Sequence, residues 1–370
     1  MTFIDLVFYL FIFVVFIQVV FNIFFFGKFA FLKHQETVSK NFPISVIICA
    51  KNEMENLQNF LPSIISQDYP QFEIILINDA SRDKTQKLME SFAKKNKNIR
   101  IVNVKNTEAF WGNKKYALTL GIKVSKYDCL LFTDADCEPV SPHWISEMSS
   151  HFNDTKTIVL GYGAYKTVKK SILNKLIRFE TLLTAINCFS FAKIGLPYMG
   201  VGRNLAYKKS EFFNANGYVN HMKIRSGDDD LFINQVATSN NTAICFSQNS
   251  FTMSIPETKF KTWFNQKRRH ISTANHYKLK HKILLATLYT SQLLFWVLAI
   301  ILLTVTFKWK IVLTLVLLRI CIQYITIGYS TKKLGEKDTL LMIPFLEIFL
   351  IIMQLSIFIT NLISKPNHWK

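Results

Sequence analysis

The sequence predicts an α/β domain with a mostly parallel sheet, combined with α-helical transmembrane segments. Long apolar runs lie near both ends of the 370-residue chain, and short apolar runs alternate with amphipathic stretches between them. Hydrophobic residues make up 50% of the chain and charged residues 19%, a composition that excludes a disordered protein. The mean hydropathy of +0.19 also argues against a purely soluble domain.

The first element is an apolar run at residues 2–26, which we interpret as a transmembrane anchor within residues 1–27. At about 1.5 Å per residue it is long enough to cross a hydrocarbon core of about 30 Å. A signal peptide is disfavoured because no basic segment precedes the run and no small-residue cleavage site follows it. Lys28, Lys33 and His34 follow instead, and the positive-inside rule therefore predicts that the next segment is cytoplasmic.

Three further apolar runs predict C-terminal transmembrane helices within 283–363, namely 283–307, 311–329 and 339–363. The loop between the last two runs carries three lysines, which again mark a cytoplasmic side. Four crossings would place both chain ends outside and the middle of the chain in the cytoplasm of a multi-pass protein of the cell (inner) membrane. Arg319 and Glu347 lie within these runs and are expected to face the interior of the helix bundle.

The middle of the chain, residues 43–282, has the length of one domain. Its predicted strands are 44–50, 72–78, 101–104 and 129–133, and its predicted helical stretches are 57–65, 84–93 and 114–124. Continuous apolar strands separated by helices are typical of a mostly parallel sheet that is covered on both faces. Such a sheet binds ligands beyond the carboxyl ends of its strands.

The charge and cysteine content limit the possible partners. The net charge of +19 suits either nucleic acid or an anionic membrane surface, but the basic residues cluster beside the apolar runs. Because no nucleic-acid recognition motif is found, a nucleic-acid partner is excluded and the membrane is the expected partner. The six cysteines form no CxxC pair, which argues against a disulfide scaffold or a structural zinc site.

Polar and acidic residues follow several predicted strands directly. The first strand ends in Ala50-Lys51-Asn52-Glu53, the second runs into Asn78-Asp79, and the fourth ends in Asp134-Ala135-Asp136. A D-x-D sequence at a strand end suits Mg²⁺ or Mn²⁺ carrying a diphosphate, because these ions prefer oxygen ligands. The absence of GxGxxG after the first strand disfavours a dinucleotide-binding fold.

Seven short motifs, spread over residues 43–275, identify a resemblance. In chain order they are AKNE, NDASRDKT, GNKKYAL, FTDADCEP, GVGRNLAYKKSEF, SGDDDLF and QKRRH. This series resembles family 2 glycosyltransferases with the Rossmann-like GT-A fold. It resembles especially their membrane-embedded group with a Q-x-x-R-W motif, which includes cellulose and hyaluronan synthases and ceramide glucosyltransferases. The resemblance implies a nucleotide-sugar donor, with a UDP-sugar expected, and a divalent metal cofactor, Mg²⁺ or Mn²⁺.

The resemblance also implies roles for residues on the donor side. Asp79, with Glu53 and the backbone near Ala50, would bind the base and ribose of the nucleotide sugar. Lys114 would contact the diphosphate, and Lys115 is the neighbouring candidate for the same contact.

Acidic residues would hold the metal and provide the base. By the same resemblance, Asp136 would ligate the metal, and Asp134 would assist through the ribose or the metal. In the three-aspartate run one carboxylate would act as the general base on the acceptor hydroxyl. Family members usually show Glu-Asp there, whereas this chain has Gly227 at the Glu position, so Asp228 and Asp229 both remain candidates.

The QKRRH motif would lie on the product side. Gln266 and Arg269 would be catalytic, with Arg269 stabilising the leaving diphosphate, and Arg268 and His270 would contact substrate. His270 stands where polysaccharide synthases have Trp. An alternative interpretation of this stretch is a juxtamembrane polybasic patch that binds acidic lipids, and both roles are compatible.

The expected function is inverting transfer of the sugar to a lipid or polyprenol-linked acceptor. No residue suggests itself as the nucleophile that a retaining route requires. An interfacial helix at about 169–196 would hold a lipid acceptor, although an ordinary buried helix is an alternative. A processive polysaccharide synthase with a glycan acceptor is disfavoured, because few spans are available and Tyr198-Met199-Gly200-Val201-Gly202 replaces the F-x-C-G-[ST]-like motif. An inactive membrane scaffold or transport protein is the alternative from another class.

Overall fold

A computed structural model of the protein describes residues 2–33, 41–105, 114–224 and 226–364. These residues form two compact units. The helical unit contains residues 2–33, 169–196 and 258–364, and the sheet unit contains the described parts of 41–168 and 197–257. Residues 169–196 and 258–282, which the sequence analysis assigns to the glycosyltransferase domain, therefore group with the terminal helices.

The strands of the sheet unit form a larger and a smaller sheet. The larger sheet has seven strands in the order β3-β2-β1-β4-β8-β6-β9, and the smaller has the order β5-β10-β7. The strands are β1 Ile44–Ala50, β2 Phe72–Asp79, β3 Ile99–Val104, β4 Cys129–Asp134, β5 Cys137–Pro139, β6 Ile158–Leu160, β7 Gly163–Tyr165, β8 Leu205–Lys208, β9 Thr242–Ile244 and β10 Thr252–Ser254. Strands β1 to β4 are mutually parallel, whereas β8 is antiparallel to both neighbours. The predicted mostly parallel α/β sheet is confirmed.

The helices divide between the two units. Those of the sheet unit are α3 Met54–Ile65, α4 Thr85–Lys95, α5 Lys114–Val124, α6 Trp144–Ser149, α8 Lys209–Asn214 and α9 Asp230–Val236. Those of the helical unit are α1 Phe3–Val20, α2 Gly27–Ala30, α7 Ile172–Lys193, α10 Phe260–Thr273, α11 Leu279–Thr304, α12 Trp309–Leu334 and α13 Ile343–Ile363. A π-helical turn at Phe21–Phe26 joins α1 to α2, and a 3-10 turn at Lys337–Met342 joins α12 to α13.

The core of the sheet unit follows from its apolar periodicity. Strands β1, β2 and β4 are buried along nearly their whole length, which explains why their sequences are continuous apolar runs. Helix α3 buries Leu57, Phe60, Leu61 and Ile64, the three-to-four-residue spacing of one helix face. Helix α5 lies so close to β2 that a Cβ on Gly121 would be 2.2 Å from the side chain of Ile77, so this position requires glycine.

Four segments of the helical unit are long and apolar enough to cross a membrane. They are Phe3–Ala30, Leu279–Thr304, Trp309–Leu334 and Lys337–Ile363, somewhat longer than the predicted runs. Helix α1 packs against α11 and α12 through an apolar cluster in which the rings of Phe11 and Phe295 stack. The predicted apolar helices at both ends of the chain are confirmed as helices.

A buried ion pair lies inside this bundle. The Arg319 guanidinium donates to both carboxylate oxygens of Glu347, at 2.6 and 2.9 Å. It also donates to Gln323 at 2.6 Å and to Gln18 at 2.8 Å, and Gln18 in turn donates to Ser291. These contacts supply the partners that the sequence analysis leaves unassigned, and both charged residues face the bundle interior as expected.

Helix α7 packs against the terminal helices. Its Phe189 ring meets Phe29 near the end of the first apolar segment, and Arg178 pairs with Glu336 and Asp338 in the chain after α12. These contacts place α7 among helices that are candidates for the membrane, which favours the interfacial interpretation over an ordinary helix of the sheet core. Its role in binding an acceptor stays a prediction.

Candidate active site

The carboxyl ends of β1, β2 and β4 meet at one edge of the larger sheet. Strand β1 lies between the other two and is parallel to both, with Ala50 opposite Asn78 and Cys49 opposite Asp134. Asp79 ends β2 and Asp134 ends β4. The structure thus brings the polar strand ends together at the edge where α/β sheets bind ligands.

The loops that follow β1 and β2 are hydrogen-bonded to each other. The Asn52 N–H donates to Ser81 Oγ at 3.0 Å, and the Arg82 N–H donates to Asn52 Oδ1 at 2.8 Å. Asn52 and Ala80 both have left-handed backbones, with φ of 57° and 49°. Because this conformation costs an alanine about 1–2 kcal/mol, the linked loops hold a strained backbone beside the sheet edge.

The residues predicted to bind base and ribose lie along these loops. The Asp79 carboxylate is buried, and its Oδ2 is 3.7 Å from Lys51 Nζ. The Glu53 carboxylate accepts from Asn56 Nδ2 at 2.6 Å, and the Glu53 N–H donates to Thr85 Oγ1 at 2.9 Å. Lys51 adds a cation that the sequence analysis does not assign, although it lies within the AKNE motif.

Lys114 is shared between two of the predicted site carboxylates. Its Nζ lies 2.8 Å from Asp134 Oδ1 and 3.1 Å from Asp228 Oδ2. Burial alone would lower the pKa of Lys114, but the two carboxylates outweigh burial and raise it well above its usual value. Burial would likewise raise the pKa of Asp134, and the Lys114 ammonium instead lowers it. Lys114 is therefore a charged ammonium group between two acids.

Lys115 points away from this cluster. Its Nζ donates to the backbone carbonyls of His221 and Ile224, at 2.7 and 2.9 Å, and its side chain is buried. Burial lowers the pKa of Lys115 to about 8. These contacts give Lys115 a structural role and leave Lys114 as the candidate for the diphosphate.

Asp134 and Asp136 fit a divalent metal ion. Single ligand atoms of Asp134, Asp136 and Cys137 all lie within 4.8 Å of one another. Carboxylate oxygens suit Mg²⁺ or Mn²⁺. The Cys137 sulfur instead lies 3.0 Å from Ser254 Oγ, and burial raises the pKa of this thiol, which disfavours the thiolate that would bind a metal. The two aspartates are therefore the fitting protein ligands. Burial and the Asp134 charge raise the pKa of Asp136, which a bound cation would reverse.

Asp228 and Asp229 differ in their surroundings. Asp229 Oδ2 accepts from the Gly202 N–H and its Oδ1 from the Asp230 N–H, both at 2.7 Å, so Asp229 caps the first turn of α9. Burial, followed by the charges of Asp228 and Asp230, raises the pKa of Asp229 to about 7. Asp228 instead directs its carboxylate toward Lys114. The contacts favour Asp228 as the candidate base.

Arg203 is a cation near the D-x-D carboxylates that the sequence analysis misses. Its guanidinium carbon lies 4.2 Å from the centre of the Tyr165 ring, and its Nη1 donates to the Ala164 carbonyl at 3.0 Å. Its positive charge opposes the burial that raises the pKa of Asp136. Arg203 lies within the GVGRNLAYKKSEF motif, but its position near the carboxylates depends on β7, which is distant in the sequence.

A pocket opens among these groups. Its wall combines polar residues of the cluster with apolar and aromatic side chains: Ile47, Cys49, Lys114, Leu118, Phe132, Thr133, Asp134, Gly202, Leu205, Tyr207, Tyr218, Asp228 and Asp229. A pocket that combines apolar walls with a few convergent charged groups is typical of a ligand site.

The residues of the QKRRH motif lie on α10 of the helical unit. Arg268 donates through Nε to Asn361 Oδ1 at 2.9 Å and through Nη2 to the Ser364 carbonyl at 2.6 Å. Its neighbour Lys267 forms an ion pair with Glu180 of α7. Gln266, Arg269 and His270 share this helix, and their predicted roles in catalysis and substrate binding stay predictions.

The comparisons with known proteins agree with this architecture. Residues 45–226 match the family model described as "Glycosyl transferase family 2". The chain is also similar to a mannosyltransferase of Pyrobaculum calidifontis, solved in complex with GDP-Man and Mn²⁺. That match has a TM-score of 0.56 and 16% identity, and it covers 89% of this chain and 96% of the other. The fold is therefore GT-A, and the match to the family 2 glycosyltransferase model covers residues 45–226, just under half of the chain.

Curated relatives match only parts of the chain. A poly-beta-1,6-N-acetyl-D-glucosamine synthase of Staphylococcus epidermidis is 38% identical over 93 residues, 25% of this chain and 21% of the relative. A 4,4'-diaponeurosporenoate glycosyltransferase of Staphylococcus haemolyticus is 29% identical over 177 residues, 48% of this chain and 45% of the relative. The chain thus spans less than half the length of these relatives.

Proposed function

We propose that this chain, whose residues 45–226 match the family 2 glycosyltransferase model, is a membrane-bound inverting glycosyltransferase. It would move a sugar from a nucleotide sugar, expected to be a UDP-sugar, to a lipid or polyprenol-linked acceptor. The observation that carries the proposal is the Lys114 ammonium between Asp134 and Asp228, beside a second D-x-D carboxylate at the sheet edge. The catalytic unit would face the cytoplasm, as the basic residues after the first apolar segment predict.

Donor binding would use the edge of the sheet. Asp79 and Glu53, with the backbone at Ala50, would hold the base and ribose beside the linked loops. The diphosphate carries the charge that Lys114 is placed to neutralise, so donor binding would draw the ammonium away from its carboxylates. Asp134 and Asp136 would hold Mg²⁺ or Mn²⁺, and that ion would supply charge neutralisation for the diphosphate.

Asp228 would act as the general base. Its largely buried carboxylate lines the pocket. Once Lys114 turns to the diphosphate, this carboxylate would be available to accept the proton of the acceptor hydroxyl. The acceptor oxygen would attack the anomeric carbon from the face opposite the diphosphate, which inverts the configuration. Asp229 would hold this segment in place through its bonds to Gly202 and the start of α9.

The leaving diphosphate needs cations on its own side. Lys114 and Arg203 would supply two. For Arg269, with Gln266 and His270 on the same helix, a role at the diphosphate is what the resemblance implies. This assignment follows the resemblance to the membrane-embedded group with a Q-x-x-R-W motif. His270 in place of Trp would offer a smaller surface to an acceptor sugar, which suits an acceptor that is held by a lipid tail.

Processive polysaccharide synthesis is the second candidate function. It is favoured by the similarity to a relative named as a poly-beta-1,6-N-acetyl-D-glucosamine synthase. The longer match, however, is to a relative named for 4,4'-diaponeurosporenoate, a single compound and not a polymer. The replacement of the F-x-C-G-[ST]-like motif at 198–202 likewise argues against processive synthesis.

The deciding experiment offers membranes containing the protein a panel of radiolabelled nucleotide sugars, with Mg²⁺ or Mn²⁺. We expect label from one of them to enter the organic extract as a product with one or very few sugars, and Asp228→Asn membranes to lose this transfer. Label in water-soluble material of high molecular weight would support the processive alternative. No transfer from any donor would contradict the proposal and support the inactive scaffold.

A further inference from the structure

The last apolar segment of the chain, residues 337–364, contacts polar helices at both of its ends. At its beginning, the Arg178 guanidinium of α7 donates to the Asp338 carboxylate at 2.6 and 2.7 Å and pairs with Glu336. Lys175 of the same helix reaches Met342. The start of the segment therefore lies beside α7.

The end of the segment lies beside α10. Arg268 donates to the Asn361 side chain and to the Ser364 carbonyl, and Asn361 Nδ2 donates back to the Arg268 carbonyl at 3.3 Å. Nearer the start of both helices, the rings of Phe260 and Phe349 meet with centres 6.1 Å apart. Helix α10 thus runs alongside α13 in the same direction.

Chain continuity places α7 and α10 on one side of the membrane. The residues on both sides of α7 return to the sheet unit, so α7 does not cross. Helix α10 follows the sheet unit directly and precedes α11, and it carries Lys261, Lys267, Arg268, Arg269 and His270 within fourteen residues. A helix with this charge density does not enter hydrocarbon, and no candidate membrane span among the described residues lies between α7 and α10, so both helices lie on one side.

Between its two ends, the segment goes into the helix bundle along α12 and comes back along α11. The Tyr324 hydroxyl donates to the Leu341 carbonyl, and Arg319 pairs with Glu347, so the chain passes back along α12 to a point about 22 Å from the end of that helix. Helix α13 then passes the first half of α11, where the Tyr289 hydroxyl donates to the Ile351 carbonyl and the Tyr289 ring meets Phe358. It ends at Arg268.

We propose that residues 337–364 form a re-entrant segment, which enters and leaves the membrane on the side of α7 and α10 and holds α10 in place through Arg268. Three of the four candidate segments among the described residues then cross the membrane, and Ser364 lies on the side of α7 and α10. This replaces the fourth crossing that hydropathy alone predicts. Arg268 becomes a positioning residue: its guanidinium holds the helix that carries Gln266 and Arg269. This positioning role rests on the proposed function, whereas the topology does not.

Cysteine labelling tests the topology without any assay of activity. In a Cys321→Ser background, single variants Lys308→Cys, Lys332→Cys and Asn367→Cys are treated with an impermeant maleimide, in intact and in permeabilised cells. Lys308 and Lys332 lie at opposite ends of α12 and serve as references for the two sides. We expect Asn367→Cys to label like Lys332→Cys. If it labels like Lys308→Cys, the segment crosses the membrane and the proposal is wrong.

Kinetics test the positioning role. We expect Asn361→Ala to lower kcat about tenfold with little change in KM for the nucleotide sugar, and Asn361→Asp to restore most of it. Ser356→Ala, on the same helix but outside the contact with Arg268, should leave both constants unchanged. An unchanged kcat in Asn361→Ala, or equal losses in both alanine variants, would refute the positioning role. If no transfer is found at all, the proposed function fails, and the labelling pattern still decides the topology.

Discussion

Lys114 in the sheet unit and Arg319 in the helical unit are both cations among acidic partners, but their surroundings differ. The Lys114 ammonium is divided between two carboxylates of different strands and loops, and it lines a pocket. The Arg319 side chain is 1% exposed, and it binds both oxygens of Glu347 as well as two glutamines. A ligand in the pocket can therefore compete with the carboxylates for Lys114, whereas the partners of Arg319 enclose its guanidinium.

The difference shows how the same ionic chemistry serves binding in one place and structure in another. An ammonium group on a flexible stem can exchange a carboxylate for a phosphate at little cost beside a pocket. A guanidinium has a fixed planar fork, and within an apolar bundle no water replaces a lost partner. Mutations in the first cluster should therefore change activity, and mutations in the second should change stability.

The largest effect is expected in the pocket. Asp136→Asn removes a predicted metal ligand without changing side-chain volume, and it should reduce sugar transfer at least about 1,000-fold, or about 4 kcal/mol. Thermal unfolding in detergent should stay near the wild-type temperature, and the exposed Asp154→Asn should be a silent control. Near wild-type turnover at saturating Mn²⁺ would show that Asp136 does not hold the metal.

The matching change in the bundle should act on stability. Glu347→Ala leaves the buried Arg319 charge without its carboxylate, and we expect a loss of about 3–5 kcal/mol in the free energy of unfolding. The double variant Glu347→Ala with Arg319→Met should recover a large part of it, because no charge remains buried. Disruption of the surface pair Asp5–Lys308 in the same unit should change little. A single variant as stable as the wild type would contradict the structural role.

Substitutions of Lys114 and of the adjacent Lys115 on α5 should separate an effect on activity from an effect on stability. Lys114→Gln should lower transfer about 100-fold and weaken binding of the nucleoside diphosphate product, since it removes a cation from the diphosphate site. Lys115→Gln should instead lower the unfolding temperature, because the carbonyls of His221 and Ile224 lose their donor. Similar kinetic losses in both variants, with unchanged stability, would assign the diphosphate contact to both residues.

The last effect concerns pH. The pKa of Asp229 is raised to about 7 in the folded protein, while an unfolded chain ionises this residue near 3.8. Between these values the folded state keeps a proton that the unfolded state releases, so stability should fall as pH rises from about 4 to about 7. Asp229→Asn should flatten this slope in thermal unfolding at a series of pH values, and the exposed Asp154→Asn should not. An unchanged slope in Asp229→Asn would refute the buried-acid interpretation.

The sheet was predictable because its central strands are buried on both faces. Such strands need apolar residues at every position, and the predicted 44–50 and 129–133 agree with β1 and β4 to within one residue. The position of Asp79 and Asp134 at one edge followed from parallel strands, whose carboxyl ends lie together. Arg203 was missed because its relation to the carboxylates depends on β7 and β8, which approach only in the folded chain.

The choice between Lys114 and Lys115 could not be made from the sequence. Adjacent residues on a helix point about 100° apart, so one faces the carboxylates and the other faces the backbone of 221–224. The choice between Asp228 and Asp229 as the base could not be made from the sequence either. Their chemistry is identical, and only the nearby Gly202 N–H and the start of α9 distinguish the capping residue from the one beside Lys114.

The sequence by itself determined the four parallel strands β1 to β4, the acidic strand ends and the apolar segments, because these depend on local composition and periodicity. Tertiary structure decided which charges pair and what the last apolar helix does. Hydropathy measures whether a segment can lie in hydrocarbon, but it carries no information about where the two ends of that segment go. For α13 that information lies in the contacts of Arg178 and Arg268, two side chains far from it in the sequence.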